Sequence, residues 1–102
     1  MIEINGNEFE LKYNTKRIDL IESVTKTPVM AAITQYGGAI SRIDLVNYIA
    51  YGLKDTAEGT FLPSKQGKEM AEILIENEGY AKCLGIVLET LQEDCGFFFR
   101  DA

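Results

Sequence analysis

Glu69, Glu72 and Glu76 recur at spacings of three and four residues. On a helix that spacing stacks carboxylates along one side, the simplest arrangement able to hold a hard divalent cation. The chain contains no histidine, so the commonest general base and metal ligand is missing. No second acidic cluster completes a coordination shell. The expectation is therefore a protein without catalytic residues, metal or cofactor, in which these glutamates and Glu78 form the solvated side of a helix. Gly37-Gly38 ahead of Ser41 has the look of an anion-binding nest. It lacks the preceding strand and the spacing of a phosphate loop, and is read as a helix stop.

The two cysteines, Cys83 and Cys95, fall on one expected helix, roughly 18 Å apart at about 1.5 Å of rise per residue. A disulfide needs Cα atoms within about 7 Å, so both are expected as free thiols in a reducing compartment. The opening Met1-Ile2-Glu3-Ile4 has neither the basic region nor the long apolar run of a signal peptide. No apolar stretch reaches the length of a membrane span. A net charge of −6, from 16 acidic against 10 basic residues, disfavours phosphate backbones and anionic membranes. A helix-turn-helix drawn across Met30 to Leu53 would have only Arg42 and Lys54 as basic residues, too few for reading DNA. With 46% hydrophobic and 25% charged residues over 102 positions, the chain suits one globular domain.

Two groups of residues stand out as candidate partner contacts. Phe97-Phe98-Phe99 cannot all face one side of a helix or strand. Either they dock on a partner, as aromatic anchors do, or they fold back to close the core. Ile2 and Ile4 lie on a strand whose edge either pairs with another chain or simply covers the helices.

The elements that must position these residues follow from periodicity. Ile2 and Ile4, then Phe9, Leu11 and Tyr13, alternate with polar residues and predict two strands around Asn5-Gly6-Asn7. A turn on Gly6-Asn7, pairing Ile4 with Phe9 and Ile2 with Leu11, matches more apolar surface than a turn on Asn5-Gly6. Asn14 or Thr15 caps a helix with Ile18, Leu20, Ile21 and Val24 as its apolar positions. Pro28 opens a short helix through Met30, Ala31 and Ile33, ended by Gly37-Gly38. Ser41 and Asp44 form a capping box ahead of Leu45, Tyr48, Ile49 and Leu53, the most apolar and central helix. Asp55 to Pro63 reads as a loop. Ser64 caps a helix with Met70, Ile73, Leu74 and Asn77 on one stripe, and Gly79 interrupts it. Ala81, Leu84, Leu88, Leu91 and Cys95 form the seam of a last helix, ended by Gly96. The expected architecture is α+β, mainly α: a β-hairpin over 1–13, four or five helices over 15–96, and an aromatic tail over 97–102, all within a single domain 1–102.

In this order, Ile2-Glu3-Ile4-Asn5-Gly6, Phe9-Glu10-Leu11-Lys12-Tyr13-Asn14, Lys16-Arg17-Ile18 and Ile21-Glu22 resemble the start of tail assembly chaperones of long-tailed bacteriophages and prophages of Gram-positive bacteria. Ala50-Tyr51-Gly52-Leu53-Lys54, Glu78-Gly79-Tyr80 and Glu93-Asp94-Cys95-Gly96-Phe97-Phe98-Phe99 are similar too. The resemblance implies a chaperone of virion assembly in the cytoplasm of the bacterial host, absent from the mature virion. Its implied partners are the tape measure protein, a long helical client that aggregates when bare, and the major tail (tube) protein. Self-association is left open, and neither nucleic acid nor membrane is expected as a partner. In many such phages a programmed frameshift near the gene's end makes a second, longer form; a uridine run encoding Phe97 to Phe99 would supply such a slip site, and whether a longer form exists here is left open. Alternatives are a small structural virion component, such as a connector or completion protein, and an inhibitor of a regulatory protein.

Overall fold

The computed structural model describes residues 2–34 and 39–96. Its first elements are β1 (Ile2–Ile4) and β2 (Asn7–Leu11), paired antiparallel. The turn is Asn5-Gly6, with φ of 52° and 81°. Two positive φ values in succession make the two-residue turn whose twist matches that of the strands, and Asn-Gly is its preferred sequence. The partners are Ile2 with Phe9, Glu3 with Glu8 and Ile4 with Asn7. The expected pairing of Ile4 with Phe9 is thus corrected. The turn's backbone decided the register, and Ile4 and Leu11 find their apolar partners outside the hairpin. Leu11 pairs with Leu53, and Ile4 packs into the core beside a helix.

Three of the helices start where their capping residues stand. In α1 (Thr15–Thr25), the Asn14 side chain accepts from the Arg17 N–H, and the helix ends on a left-handed Lys26. Ile18 and Ile21 are its buried residues, while Leu20 is half-buried and Val24 exposed. Pro28 precedes α2 (Val29–Thr34), whose first N–H donates to the Glu22 carboxylate at 2.8 Å. In α3 (Arg42–Gly52), the Ser41 side chain accepts from the Asp44 N–H, and the buried residues run from Leu45 to Ala50 without a break. This is the central helix that its all-round apolar sequence anticipated.

The helix expected through Leu53 stops at Gly52. The chain passes directly into β3 (Leu53–Asp55) and β4 (Thr60–Phe61), inside the region expected as a loop. The result is one four-stranded antiparallel sheet in the order β1-β2-β3-β4. Strands of two and three residues carry no readable period-two signal. They form because β2 offers its free edge, which Leu53 to Asp55 fill. Between them the Asp55 carboxylate accepts from the Ala57 and Glu58 N–H groups.

The last two helices are α4 (Ser64–Glu78) and α5 (Tyr80–Asp94). Pro63, not Ser64, occupies the cap of α4, and no side chain bonds there. The expected α4 stripe is rotated. Gly67, Ala71, Leu74 and Ile75 are buried, Met70 and Ile73 are half-buried, and Asn77 is exposed. Small residues decide this face, because α4 lies against α3 so closely that a Cβ on Gly67 would stand 2.6 Å from the Ala50 carbonyl oxygen. The α5 seam is corrected in the same way. Cys83, Val87 and Leu91 are buried with Cys95, whereas Leu84 and Leu88 are half-buried and Ala81 is exposed. Apolar residues on several sides of α5 permit two seams, and packing against α3 and α4 selects one. Cys83 and Cys95 are free and buried.

A single hydrophobic cluster joins the hairpin to the helices, from Ile4 and Phe9 through Tyr48 and Leu53 to Leu91 and Cys95. Tyr13 fastens its centre. Its hydroxyl donates to the Tyr48 carbonyl at 2.8 Å, and its N–H donates to Asp94 at 3.0 Å. The described residues form an α+β, mainly helical architecture, with an N-terminal hairpin and five helices.

Candidate functional site

Large apolar side chains that stay in water mark surfaces where burial is still to be gained. Among the described residues the most exposed is Ile43, at 72% of its free area; Met30, Val24 and Tyr80 follow at 38–39%. Ile43 stands in the first turn of α3, Met30 lies on α2, and the Tyr80 hydroxyl donates to the Ile40 carbonyl between those helices. These three therefore lie on α3, α2 and α5, the last tied through Tyr80 to the segment that leads into α3.

A pocket of about 280 Å³ opens between α2 and α3. Its apolar wall is Ala32, Ala39 and Ile40, and its polar lining is Thr27, Ser41, Asp44 and Tyr48. Asp44 and Tyr48 stand one turn apart on α3 and so share a face. Tyr48 is only 2% exposed. Its hydroxyl is buried and has no hydrogen-bond partner among the described residues. Burial, then the negative charges of Asp44 and Glu22, push its pKa up to about 12. The pocket thus combines aliphatic walls, a carboxylate and a buried hydroxyl with bonding capacity to spare.

The residues singled out from sequence fall elsewhere. Ile4 is 1% exposed and belongs to the core, so its side chain presents nothing to a partner. Ile2 is half-buried beside Ile86 and Thr90, in a shallow groove between the first hairpin and α5. Phe97, Phe98 and Phe99 lie outside the described residues, as does Gly37-Gly38. On α4, Glu72 binds Arg42 through two hydrogen bonds of 2.7 and 3.2 Å, which hold its carboxyl below the usual range. Glu78 meets Lys82 at 2.6 Å. Two of the four outer glutamates are therefore already paired. Among the described residues no group of three or more His, Cys, Asp or Glu side chains is placed to hold a metal ion, and no helix is long and apolar enough to cross a membrane.

Sequence reasoning read Asp44 as a capping residue and Tyr48 as core, and missed their joint role at the pocket. Their spacing of four was the available signal. The opposing wall of α2, which turns that spacing into a site, is not encoded near them. No protein-family model, curated protein or solved structure matches this chain.

Proposed function

We propose that the protein is a tail assembly chaperone of a long-tailed bacteriophage or prophage, which binds the tape measure protein and helps recruit tail tube subunits. The observation that carries the binding part is the apolar surface that Ile43, Met30 and Tyr80 keep in water on α3, α2 and α5. Interface cores favour aromatic residues and methionine. The identity of the client comes from the sequence resemblance, which runs from Ile2-Glu3-Ile4-Asn5-Gly6 to the segment around Cys95. A small acidic domain suits the task physically. Many copies along an apolar helix cover its surface, and their negative charge keeps the coated complex in solution. On this reading the protein works in the host cytoplasm and is absent from the finished virion.

Co-expression with the tape measure protein of the same phage tests the reading. The expected result is that the client stays in the soluble fraction and co-purifies with this chain. A client that precipitates equally with and without it removes the chaperone reading. Detection of the chain in purified virions points to a structural component instead.

A further inference from the structure

We propose that the pocket between α2 and α3 receives a lysine or arginine side chain from a partner protein, with the stem against Ala32, Ala39 and Ile40 and the cationic head at Asp44 and the Tyr48 hydroxyl. The inference rests on reading the protein as one that docks on another protein, and it does not depend on which protein the client is.

Size comes first. At about 280 Å³ the pocket lies just below the roughly 300–1,000 Å³ range of small-molecule sites, a volume suited to one inserted side chain. Charge comes second. Asp44 is in the lining, and Glu22 is close enough to act on the Tyr48 hydroxyl. Among the described residues no lysine or arginine lines the pocket. Arg42, next to Ser41 in sequence, is engaged by Glu72, and Lys26, next to Thr27, is exposed. The positive end of the α3 dipole is already answered within the chain by the Ser41 hydroxyl and Asp44. An anionic occupant would meet a carboxylate without a compensating cation.

Hydrogen bonding decides between a cationic and an apolar occupant. A buried hydroxyl without a partner costs about 1–3 kcal/mol, and Tyr48 carries such a hydroxyl at this pocket. A purely apolar side chain would fill the space, leave that hydroxyl unsatisfied and strip water from Asp44. Lysine and arginine are donors only. Their heads can donate to both oxygens while their methylene stems cover the aliphatic wall. A basic side chain thus satisfies what the pocket leaves open.

The test uses n-pentylammonium and the uncharged n-pentanol as probes of the full chain, followed by amide and methyl NMR shifts. The expected result is saturable shifts at Ala32, Ile40 and Asp44, with the ammonium binding at least about ten-fold tighter than the alcohol, equivalent to about 1.4 kcal/mol. Asp44→Asn abolishes that preference, Tyr48→Phe reduces it, and Glu72→Gln, at the exposed pair with Arg42, leaves it unchanged. Circular dichroism of each variant establishes that it is folded. Equal binding of the two probes, no saturable binding of either, or an Asp44→Asn variant that keeps the preference overturns the inference. A chain that discriminates neither probe yet keeps the tape measure protein soluble overturns the basic-side-chain pocket alone. A chain that discriminates the probes without protecting that client supports the pocket and removes the chaperone reading.

Discussion

Gly67 and Gly85 sit in the interiors of α4 and α5 and should respond to alanine with opposite signs. Alanine is intrinsically better than glycine within a helix by about 0.8–1.0 kcal/mol, so propensity alone stabilises both variants. At Gly85 a Cβ meets nothing within 4 Å, and Gly85→Ala is expected to gain about 0.5–1 kcal/mol. At Gly67 the new Cβ would lie 2.6 Å from the Ala50 carbonyl oxygen and 3.2 Å from its carbon. That neighbour is backbone in the most buried helix and cannot swing aside as a side-chain end does. The two helices must separate, loosening Ala71, Leu74 and Ile75 from α3. Overpacking of this kind costs about 1–3 kcal/mol, and a rigid backbone neighbour places it in the upper half of that range. After the propensity gain, Gly67→Ala should be destabilised by about 1–2 kcal/mol, and 1 kcal/mol in a domain of this size moves Tm by roughly 4–8 °C. Thermal and urea unfolding followed by circular dichroism, with Gly85→Ala as the internal reference, reads the difference. A Gly67→Ala variant that rises in Tm alongside Gly85→Ala would refute the close crossing of α3 and α4.

Tyr48→Phe removes a buried hydroxyl that lacks a partner and keeps the ring, so its stability in urea should be unchanged or raised by about 1 kcal/mol; a loss greater than that would mean the hydroxyl is bonded. Asn14→Ala removes the side chain that accepts from the Arg17 N–H and should cost about 1 kcal/mol, measured as a lower urea midpoint. Burial raises the hydroxyl pKa values of Tyr13 and Tyr48, the latter to about 12. The folded chain therefore holds these protons more tightly than the unfolded chain. Their contribution to stability is complete below about pH 10 and is lost as the pH rises through the folded values. Unfolding series between pH 9 and 12 should show falling stability, and tyrosinate absorbance should lag behind that of the denatured chain. A flat profile would contradict the burial of both rings.

The order of residues was enough to specify the fold class. Alternation at Ile2, Ile4, Phe9 and Leu11 marks strands, and Asn14, Pro28 and Ser41 stand at or just before helix starts, as their side chains require. These are local effects, written within a few residues of where they act. The hairpin register was local too, yet it followed the positive φ preference of Asn5-Gly6 over apolar pairing between two strands. Apolar burial is settled by the whole core, and Ile4 finds its neighbours there.

What the chain order could not specify depends on approach between distant segments. β3 and β4 are too short to be strands alone and exist because β2 lies alongside. The buried faces of α4 and α5 turned on Gly67 and Ala71 fitting against α3 and on Cys83, Val87 and Leu91 facing inward, although larger side chains suggested other stripes. The pocket belongs to the same class. Asp44 and Tyr48 are a turn apart in any helix, but they become a site only where Ala32 and Ile40 close over them. Periodicity records which sides of a helix are apolar. When several sides qualify, the side that is buried is chosen by how closely two backbones can approach, and that distance is a property of the assembled chain.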